Sequence, residues 1–465
     1  MDRYVELRNQ FKTFRYIGYD ISEEMGAIKV VYYFSIDGLS TFAPGWKFPM
    51  GGHTIEELKK DKTFINMVFS LGMVELISYW KISCPKRVIV EAGFLNDEQI
   101  EWWKELYYLG LGEFFYTNGI VTSKQEFMDI ELGENVSDTC EEERVTGVGS
   151  RISEDSVLVP IGGGKDSVVS LELLKKTNDN IKCYIINPRG ATLNTVATAG
   201  MTDNLLVANR TLDKNMIELN KQGYLNGHTP YSAIVAFSST IVAYIHGLKY
   251  IALSNEDSAN ESTVKGTDVN HQYSKSFKFE QDFHNYEEKF IGSGTYYFSL
   301  LRPLSEFQIA SYFAKCKEYH QIFRSCNVGS KEDIWCGHCP KCMFVYIILS
   351  PFIEQSKLRE IFGADMLDDD DMKDNLHKLI GYVEEKPFEC VGSRDEVNSA
   401  LCMTINRIEE NGDELPLLLD YYKTTDIYKE YSVKEITLLK GFSNENLLPE
   451  KYRELVYNEV VGLQK

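Results

Sequence analysis

One segment constrains this chain more than any other. Over Val157 to Ser167, an apolar strand leads into three consecutive glycines and then into the start of a helix. Glycines let the backbone approach a ligand closely and turn successive N–H groups toward one point. The helix adds the positive end of its dipole, which favours an anion. This order predicts a phosphate-binding loop. The residues leave open a tight turn without a ligand, although three adjacent glycines cost conformational entropy.

The loop lies in a region where apolar strands alternate with helices. We expect strands at 156–161, 181–186 and 250–253, and helices at 166–176 and 229–247. Thr229 should cap the second of these helices and Pro230 should open it. Alternation of this kind predicts a parallel sheet covered by helices.

Changes in composition divide the chain into three parts. Residues 1–150 are expected to form an α+β domain, with a strand at 28–34, a loop at 43–49 and helices at 64–80 and 97–108. A stretch rich in glycine, serine and glutamate marks its end. Residues 151–342 should form the domain that contains the glycine loop. Residues 343–465 are expected to be mostly helical.

The charge balance excludes one class of partner. The 49 Lys and Arg against 69 Asp and Glu give a formal net charge of −20. Proteins that bind nucleic-acid backbones need basic residues to release counterions. The N-terminus has no continuous apolar segment, and the apolar stretch 232–248 is short and polar for a membrane span. We therefore expect a cytoplasmic protein with no nucleic-acid partner and no membrane insertion.

Four of the ten cysteines are clustered, at Cys326, Cys336, Cys339 and Cys342. Their spacing, with a glycine and a proline in the tight turn, lets four thiolates converge on one tetrahedral ion. The absence of a recognisable secretion signal favours a reducing compartment, which disfavours disulfides. We predict a structural Zn²⁺ ion, with an iron–sulfur cluster as the main alternative and His338 in place of one thiol as a lesser one.

The segment Gly162-Gly163-Gly164-Lys165-Asp166-Ser167 resembles the PP-loop of ATP pyrophosphatases, whose usual pattern is Ser-Gly-Gly-x-Asp-Ser. The resemblance implies a doubly wound parallel sheet of the adenine nucleotide α-hydrolase type, and cleavage of ATP between its α and β phosphates. It also implies that these six residues bind the pyrophosphate end of ATP, with Mg²⁺. Loops 187–189 and 254–256 would line the ligand crevice. Gly162 departs from the usual first serine, which removes one hydroxyl donor.

Further segments extend the resemblance over nearly the whole chain. They are 109–119, 254–260, 270–276, 335–342 and 386–392. Together with the chain length, they resemble the MurL family of UDP-N-acetylmuramoyl-L-alanyl-L-glutamate epimerases. The resemblance implies ATP-dependent inversion of the terminal L-glutamate through an acyl-adenylate, with release of AMP and pyrophosphate, in peptidoglycan precursor synthesis. The implied partner is the UDP-linked muramoyl dipeptide.

This chemistry needs groups that move a proton at the glutamate Cα. The candidate catalytic residues are Asp166 in the loop and Glu256, His271, Tyr273 and Lys275 after the strand that ends at 253. Histidine side chains ordinarily titrate near neutral pH, so His271 suits a general base. A hydrogen-bonded loop histidine fits the sequence equally well.

Three basic residues have two interpretations each. Lys165 either neutralises phosphate or is an exposed lysine at the start of a helix. Arg189 and Arg302 either bind the carboxylate or diphosphate of the substrate or form surface salt bridges. The surface salt bridge is the simpler interpretation for each.

Two other functions stay open. A PP-loop synthetase that adenylates another small substrate, such as a 7-cyano-7-deazaguanine synthase, has a similar four-cysteine site. The extra region 1–150 is hard to place in that enzyme, and the negative charge argues against a tRNA-thiolating relative. A zinc-stabilised nucleotide-binding module would bind ATP without forming AMP.

Overall fold

The computed structural model of the chain describes residues 3–136, 152–257, 273–384, 386–387, 389 and 391–462. The fold is mixed α/β, with a large sheet and many helices. Two compact units are present, the first made of residues 1–158, 206–251 and 269–297 and the second of residues 159–205, 252–268 and 298–465. Their segments alternate along the chain. The three contiguous domains expected from the sequence stay a prediction.

The strands include the three expected around the glycine loop, each within a few residues. In chain order they are β1 Thr13–Glu24, β2 Ala27–Ile36, β3 Ser40–Phe42, β4 Gly45–Pro49, β5 Arg87–Val90, β6 Asp129–Leu132, β7 Ser153–Pro160, β8 Asn180–Ile186, β9 Leu205–Thr211, β10 Leu248–Leu253 and β11 Tyr296–Ser299.

The helices up to β10 are α1 Arg3–Gln10, α2 Ile55–Lys60, α3 Lys62–Trp80, α4 Asp97–Gly110, α5 Gly112–Thr117, α6 Lys165–Leu174, α7 Gly190–Thr198, α8 Lys214–Lys221 and α9 Tyr231–Ile245. The predicted helices at 64–80 and 97–108 are confirmed as α3 and α4. α9 has Pro230 as its N-cap, so the prediction that Thr229 caps it is wrong by one residue.

The later helices are α10 Phe277–Tyr286, α11 Glu306–Phe313, α12 Pro340–Leu349, α13 Gln355–Phe362, α14 Lys373–Ile380, α15 Arg394–Asn411, α16 Leu417–Lys423, α17 Asp426–Tyr431 and α18 Glu450–Val456. Regular structure in the described residues after 342 is helical throughout, which confirms the expectation for that region.

A long antiparallel hairpin organises the first unit. β1 and β2 pair along most of their length and end with Glu24 opposite Ala27. Between them, Met25 and Gly26 have φ angles of 53° and 76°, the left-handed conformation that a two-residue hairpin turn requires. β2 also pairs antiparallel with β3 and β4, and β4 with β9. Parallel pairs join β1 to β5, β5 to β6 and β7 to β10. The strands of this unit are therefore of mixed direction.

The prediction of a loop at 43–49 is wrong for its second part, because Gly45–Pro49 is strand β4. This strand pairs with residues 27–31 of β2. Trp46 and Phe48 alternate onto the buried face, each 1% exposed, and their rings stack with centroids 5.3 Å apart. Burial of two large aromatic side chains outweighs the turn tendency of the glycine and prolines around them.

Helix α3 lies in the core of the first unit. Asp61 caps it by accepting the N–H groups of Thr63 and Phe64 at 2.9 and 3.2 Å. Tyr244 of α9 donates its hydroxyl to the same carboxylate at 2.6 Å. Within the described residues, α3 alone is long and apolar enough to cross a membrane, and 83% of that apolar window is buried inside the structure. It is placed as a core helix.

The second unit contains the glycine loop. The chain leaves β7 at Pro160 and enters α6 at Lys165, and β8 and α7 follow in the strand–helix order that the sequence predicts. The helices from α11 onward belong to the same unit. The doubly wound arrangement of the PP-loop type stays a prediction.

Candidate functional site

One glycine makes the sharp turn between β7 and α6. Gly163 has a φ of 82°, which other residues rarely adopt. A Cβ there would lie 3.0 Å from both the Cβ of Ala191 and the backbone N of Thr192, so α7 leaves no space for a side chain. Gly162 is exposed, and a Cβ there would meet nothing within 4 Å. The loop is therefore closed where it meets α7 and open at Gly162.

Residues 324–333, which we call the bracing segment, also lie against the loop. The N–H of Arg324 donates to the carbonyl of Gly163 at 2.8 Å. A Cβ on Gly164 would lie 3.3 Å from the Cβ of Ser325. At its other end, Asp333 accepts the N–H of Ala191, in the first turn of α7, at 3.0 Å. The loop backbone is thus held by two neighbours, α7 and the bracing segment.

The start of α6 resembles an anion-binding helix terminus. Gly164 is its N-cap and provides no side-chain acceptor for the first N–H groups. Ser167 donates its hydroxyl to the carbonyl of Gly164 at 3.0 Å, and the side chain of Asp166 is 33% exposed. Backbone N–H groups without a side-chain cap can be satisfied by a bound anion.

Lys165 is buried, at 2% exposure. Its ammonium group forms hydrogen bonds with the carboxyl groups of both Asp166 and Glu306. The interpretation as an exposed helix-start lysine is wrong, because these two groups hold the ammonium inside the second unit. Glu306, in the first turn of α11, is 3% exposed.

One lysine facing two carboxyl groups leaves the charges unbalanced. Burial by itself lowers the pKa of Lys165, but the carboxyl groups of Asp166 and Glu306 outweigh it and raise that pKa. Burial raises the pKa of Glu306, and the like charges of Asp166 and Glu256 raise it further. When both partners of the lysine are ionised, one negative charge remains, and burial makes Glu306 the carboxyl that more readily keeps a proton.

More buried charge lies in the second unit. Glu256 and Glu396 are 7% and 2% exposed, and burial raises the pKa of Glu396. Arg302 is fully buried and donates to the backbone carbonyl of Glu256 at 2.7 Å and to the hydroxyl of Ser299 at 3.4 Å. The interpretation of Arg302 as a surface salt-bridge residue is therefore wrong. It holds the backbone of the loop that follows β10.

The candidate catalytic residues fall into different parts of the structure. Asp166 and Glu256 belong to the second unit, and both act electrostatically on Glu306. Tyr273 and Lys275 belong to the first unit, in the short 3₁₀ turn before α10. Tyr273 is buried and donates its hydroxyl to Asp282 at 3.4 Å. His271 lies outside the described residues.

Sequence reasoning missed Glu306 and the bracing segment. Glu306 follows Ser305 in an ordinary capping box, and in the sequence it is one of many first-turn glutamates. Arg324 and Ser325 precede Cys326 and carry no motif of their own. Arg189, by comparison, is exposed and is the N-cap of α7, with Nη1 3.4 Å from the carbonyl of Ser330.

The four clustered cysteines do converge, as their spacing predicts. The Sγ atoms of Cys326, Cys336, Cys339 and Cys342 all lie within 4.8 Å of one another. All but Cys336 are buried, and Cys336 is half-buried. His338 is exposed, and its Nδ1 lies 2.8 Å from the carbonyl oxygen of Cys336. The sulfur atoms form the group without a contribution from the histidine.

Fold and site define an α/β protein in which a glycine loop joins a strand to a helix beside buried carboxyl groups. The MurL N-terminal domain family matches residues 5–300, and the MurL C-terminal domain family matches residues 321–423. The chain therefore belongs to the MurL family.

Curated relatives agree with this assignment. A protein of Xanthomonas oryzae pv. oryzae named UDP-N-acetyl-alpha-D-muramoyl-L-alanyl-L-glutamate epimerase is 32% identical over 418 residues, which cover 87% of this chain and 88% of the relative. A Salinispora tropica protein of the same name is 32% identical over 72% of each chain. A Micromonospora relative with that name is also 32% identical, over 72% of this chain and 73% of its own length.

Proposed function

We propose that this chain is an ATP-dependent epimerase that inverts the terminal L-glutamate of UDP-N-acetylmuramoyl-L-alanyl-L-glutamate to D-glutamate. The observation that carries the proposal is the similarity to proteins named for this epimerisation, over most of both chains. The product is a precursor of peptidoglycan, so the reaction would serve cell-wall synthesis and cell shape.

The reaction needs activation because the Cα–H of a glutamate is next to an ionised carboxylate. Removing that proton would add negative charge to a group that is already anionic. In the proposed first step, a carboxylate oxygen of the substrate attacks the α phosphorus of ATP. Pyrophosphate leaves with the electrons of the broken P–O bond, and an acyl-adenylate forms.

The neutral acyl group can then accept the charge that develops when the proton leaves. A base removes the Cα proton from one face, and an acid returns a proton to the other face, which inverts the centre. Water finally cleaves the mixed anhydride and releases AMP and the carboxylate. The reaction consumes one ATP and one water for each pass through the intermediate.

The glycine loop is the proposed binding site for the pyrophosphate part of ATP, through the residues Gly162, Gly163, Gly164, Lys165, Asp166 and Ser167. Uncapped N–H groups at the start of α6 suit phosphate oxygens. The partly exposed carboxylate of Asp166 suits Mg²⁺, which prefers oxygen ligands. Within this site Lys165 acts through its neighbour, because its ammonium group is already paired with Asp166 and Glu306. It positions Asp166.

Glu256 is the proposed base of the second unit, where it lies buried on the loop after β10. Tyr273, whose pKa burial raises, stays a candidate for the acid that returns the proton. His271 and Lys275 stay candidates for either step. A base variant such as Glu256→Gln should still release AMP but should lose exchange of the Cα proton with D₂O, because adenylation does not require that proton transfer.

The test is incubation of the whole chain with ATP, Mg²⁺ and UDP-N-acetylmuramoyl-L-alanyl-L-glutamate, followed by chiral analysis of the glutamate and assay of AMP. The proposal expects D-glutamate in the product and AMP that depends on the substrate. AMP without inversion would instead favour a synthetase of the 7-cyano-7-deazaguanine type. ATP binding without AMP would favour a nucleotide-binding module.

A further inference from the structure

The four clustered thiols have the spacing that a single tetrahedral ion needs. The Sγ atoms of Cys336 and Cys342 are 3.7 Å apart, those of Cys326 and Cys339 are 3.9 Å apart, and those of Cys339 and Cys342 are 3.5 Å apart. A regular tetrahedron with metal–sulfur bonds of about 2.3 Å has edges of about 3.8 Å. The cysteines are free rather than disulfide-bonded.

The backbone around these thiols is shaped to receive sulfur anions. The N–H of Gly329 donates to Cys326 Sγ at 3.1 Å, and the N–H of Cys342 donates to Cys339 Sγ at 3.4 Å. Cys339 is also the N-cap of α12, where the helix dipole favours a negative charge. Gly337 has a φ of 77°, which lets the chain turn between the second and third cysteines. Such N–H···S contacts orient thiolate ligands and stabilise their charge.

Two of the cysteines lie near the two ends of the bracing segment. Cys326 directly follows Arg324 and Ser325, the two residues that contact Gly163 and Gly164. Cys336 lies three residues after Asp333, which binds the first turn of α7. A bond from each of these cysteines to one ion would fix both ends of the bracing segment. The ion would therefore act on the loop through the backbone of Arg324 and Ser325, without touching a phosphate itself.

We propose that Cys326, Cys336, Cys339 and Cys342 bind one Zn²⁺ ion as four thiolates, and that this ion holds the bracing segment against the glycine loop. Four thiols lose four protons on binding, and the site then carries two negative charges. All four positions of the metal are occupied by protein, so the ion is structural and activates no water. The inference goes beyond the proposed reaction, and its test requires neither substrate nor turnover.

The first measurement is the metal content of the full-length protein, purified without added metal or chelator and analysed by mass spectrometry of the elements. We expect one zinc per chain in the wild type and in Cys402→Ser, a buried cysteine outside the cluster that serves as the control. Cys336→Ser should lose the zinc. A stable, folded wild type without metal would overturn the proposal, and iron in place of zinc would overturn the identity of the ion.

The second measurement separates loss of the ion from simple misfolding. Cys336→His keeps a ligand at the same position, and zinc sites with three cysteines and one histidine are common. We expect this variant to retain zinc, while Cys336→Ser loses it. Should Cys336→Ser prove insoluble, zinc can be removed from the Cys336→His protein with a chelator, and the same comparison made on one folded chain.

The third measurement tests the connection to the loop by amide hydrogen exchange. Backbone amides at 162–167 and at Arg324 should exchange about tenfold faster, or more, in zinc-free protein than in zinc-bound protein. Amides in β1 and β2 of the first unit should be unchanged. Equal exchange at 162–167 with and without zinc would overturn the bracing role. These outcomes are independent of whether the chain is an epimerase.

Discussion

Each of the two units buries an ion pair, and the two pairs differ in how their charge is balanced. In the first unit, Glu75 is completely buried and both of its oxygens are used. Arg210 donates to Oε1 and Oε2 at 2.5 and 2.8 Å, and Trp46 donates to Oε1 at 2.7 Å. One cation pairs with one anion through two side-by-side hydrogen bonds, so the two charges cancel.

In the second unit, Lys165 meets two carboxyl groups, Asp166 and Glu306. Only Asp166 is partly exposed, and it belongs to the glycine loop. The balanced pair can only hold elements together. The unbalanced group can change its protonation state or exchange one partner for a ligand, as the proposed function of the glycine loop requires.

The largest expected effect is on the balanced pair. Glu75→Ala would leave Arg210 buried without its carboxylate, which should cost about 3–5 kcal/mol of unfolding free energy. Urea unfolding followed by tryptophan fluorescence measures this loss. The control is Glu131→Ala, because Glu131 pairs with Arg87 at the surface of the same unit and should contribute at most about 1 kcal/mol. Similar losses in the two variants would mean that burial of the pair is irrelevant.

The next effect concerns catalysis. Asp166→Asn and Ser167→Ala should leave the fold intact and lower AMP formation about 10²–10³-fold, because each removes a positioned contact near the phosphates. A substrate-dependent AMP assay at saturating ATP checks this. Glu75→Ala protein that is still folded should keep its rate of AMP formation per folded molecule. Near-normal turnover in both loop variants would contradict the assignment of the glycine loop.

A smaller effect distinguishes the two pairs by pH. Folding raises the pKa of Glu306 above its ordinary 4.5, so its stabilising contribution is present below that value and is lost as the pH rises through the folded pKa. The pKa of Lys165 is also raised, so its stabilising contribution is likewise lost as the pH rises, but at higher pH. The stability advantage of wild type over Glu306→Gln should therefore shrink as pH rises from about 5 to about 9, by at most about 1.4 kcal/mol per pH unit.

Melting temperatures of the two proteins across that range measure the difference. The charged groups that act most strongly on the Glu306 carboxyl are Lys165, Asp166, Glu256 and Lys341, and the Glu396 carboxyl lies against the Glu306 backbone. None of them is changed in the comparison. A difference in melting temperature that widens as the pH rises would contradict the prediction. It would show that Glu306 is ionised in the folded protein and that Lys165 balances its charge.

The smallest effect is at the first glycine. Gly162→Ser restores the hydroxyl of the usual PP-loop pattern at a position with open space, and should change stability by less than about 0.5 kcal/mol. Gly163→Ser is the matched control one residue later, and should be strongly impaired by its left-handed φ and by its contacts with α7. ATP affinity and thermal melting compare the two. Equal ATP affinity and equal melting temperature in the two variants would mean that α7 does not restrict the loop.

Local patterns in the sequence were sufficient for part of this structure. The glycines directly follow an apolar strand, and three of the four cysteines are three residues apart with the fourth ten residues before them. The strand–loop–helix and the thiol cluster could therefore both be predicted. Strand β4 could not, because Gly45 and Pro49 favour a turn, and the pairing with β2 that overrides them is tertiary.

Other parts of the site depend on residues that are distant in sequence. Glu306 is 141 residues from Lys165, and nothing in its local sequence distinguishes it from other glutamates that begin a helix. For Arg302 the sequence favours a surface salt bridge, because arginine is rarely buried, yet the backbone carbonyl of Glu256 and the hydroxyl of Ser299 accept its hydrogen bonds inside the second unit. Each of the two units is made of segments that are separated in sequence, so changes in composition along the chain do not reveal them.

The hydrogen bond between Arg324 and Gly163 joins residues that leave the ribosome at different times. At about 5–20 residues per second, the ~160 residues between them take roughly 10–30 s to synthesise. During that interval the nascent glycine loop exists without the bracing segment, and the last thiol emerges later still. A gene fragment that ends before codon 324 would encode the entire glycine loop and α7, but not the bracing segment that holds the loop from its other side.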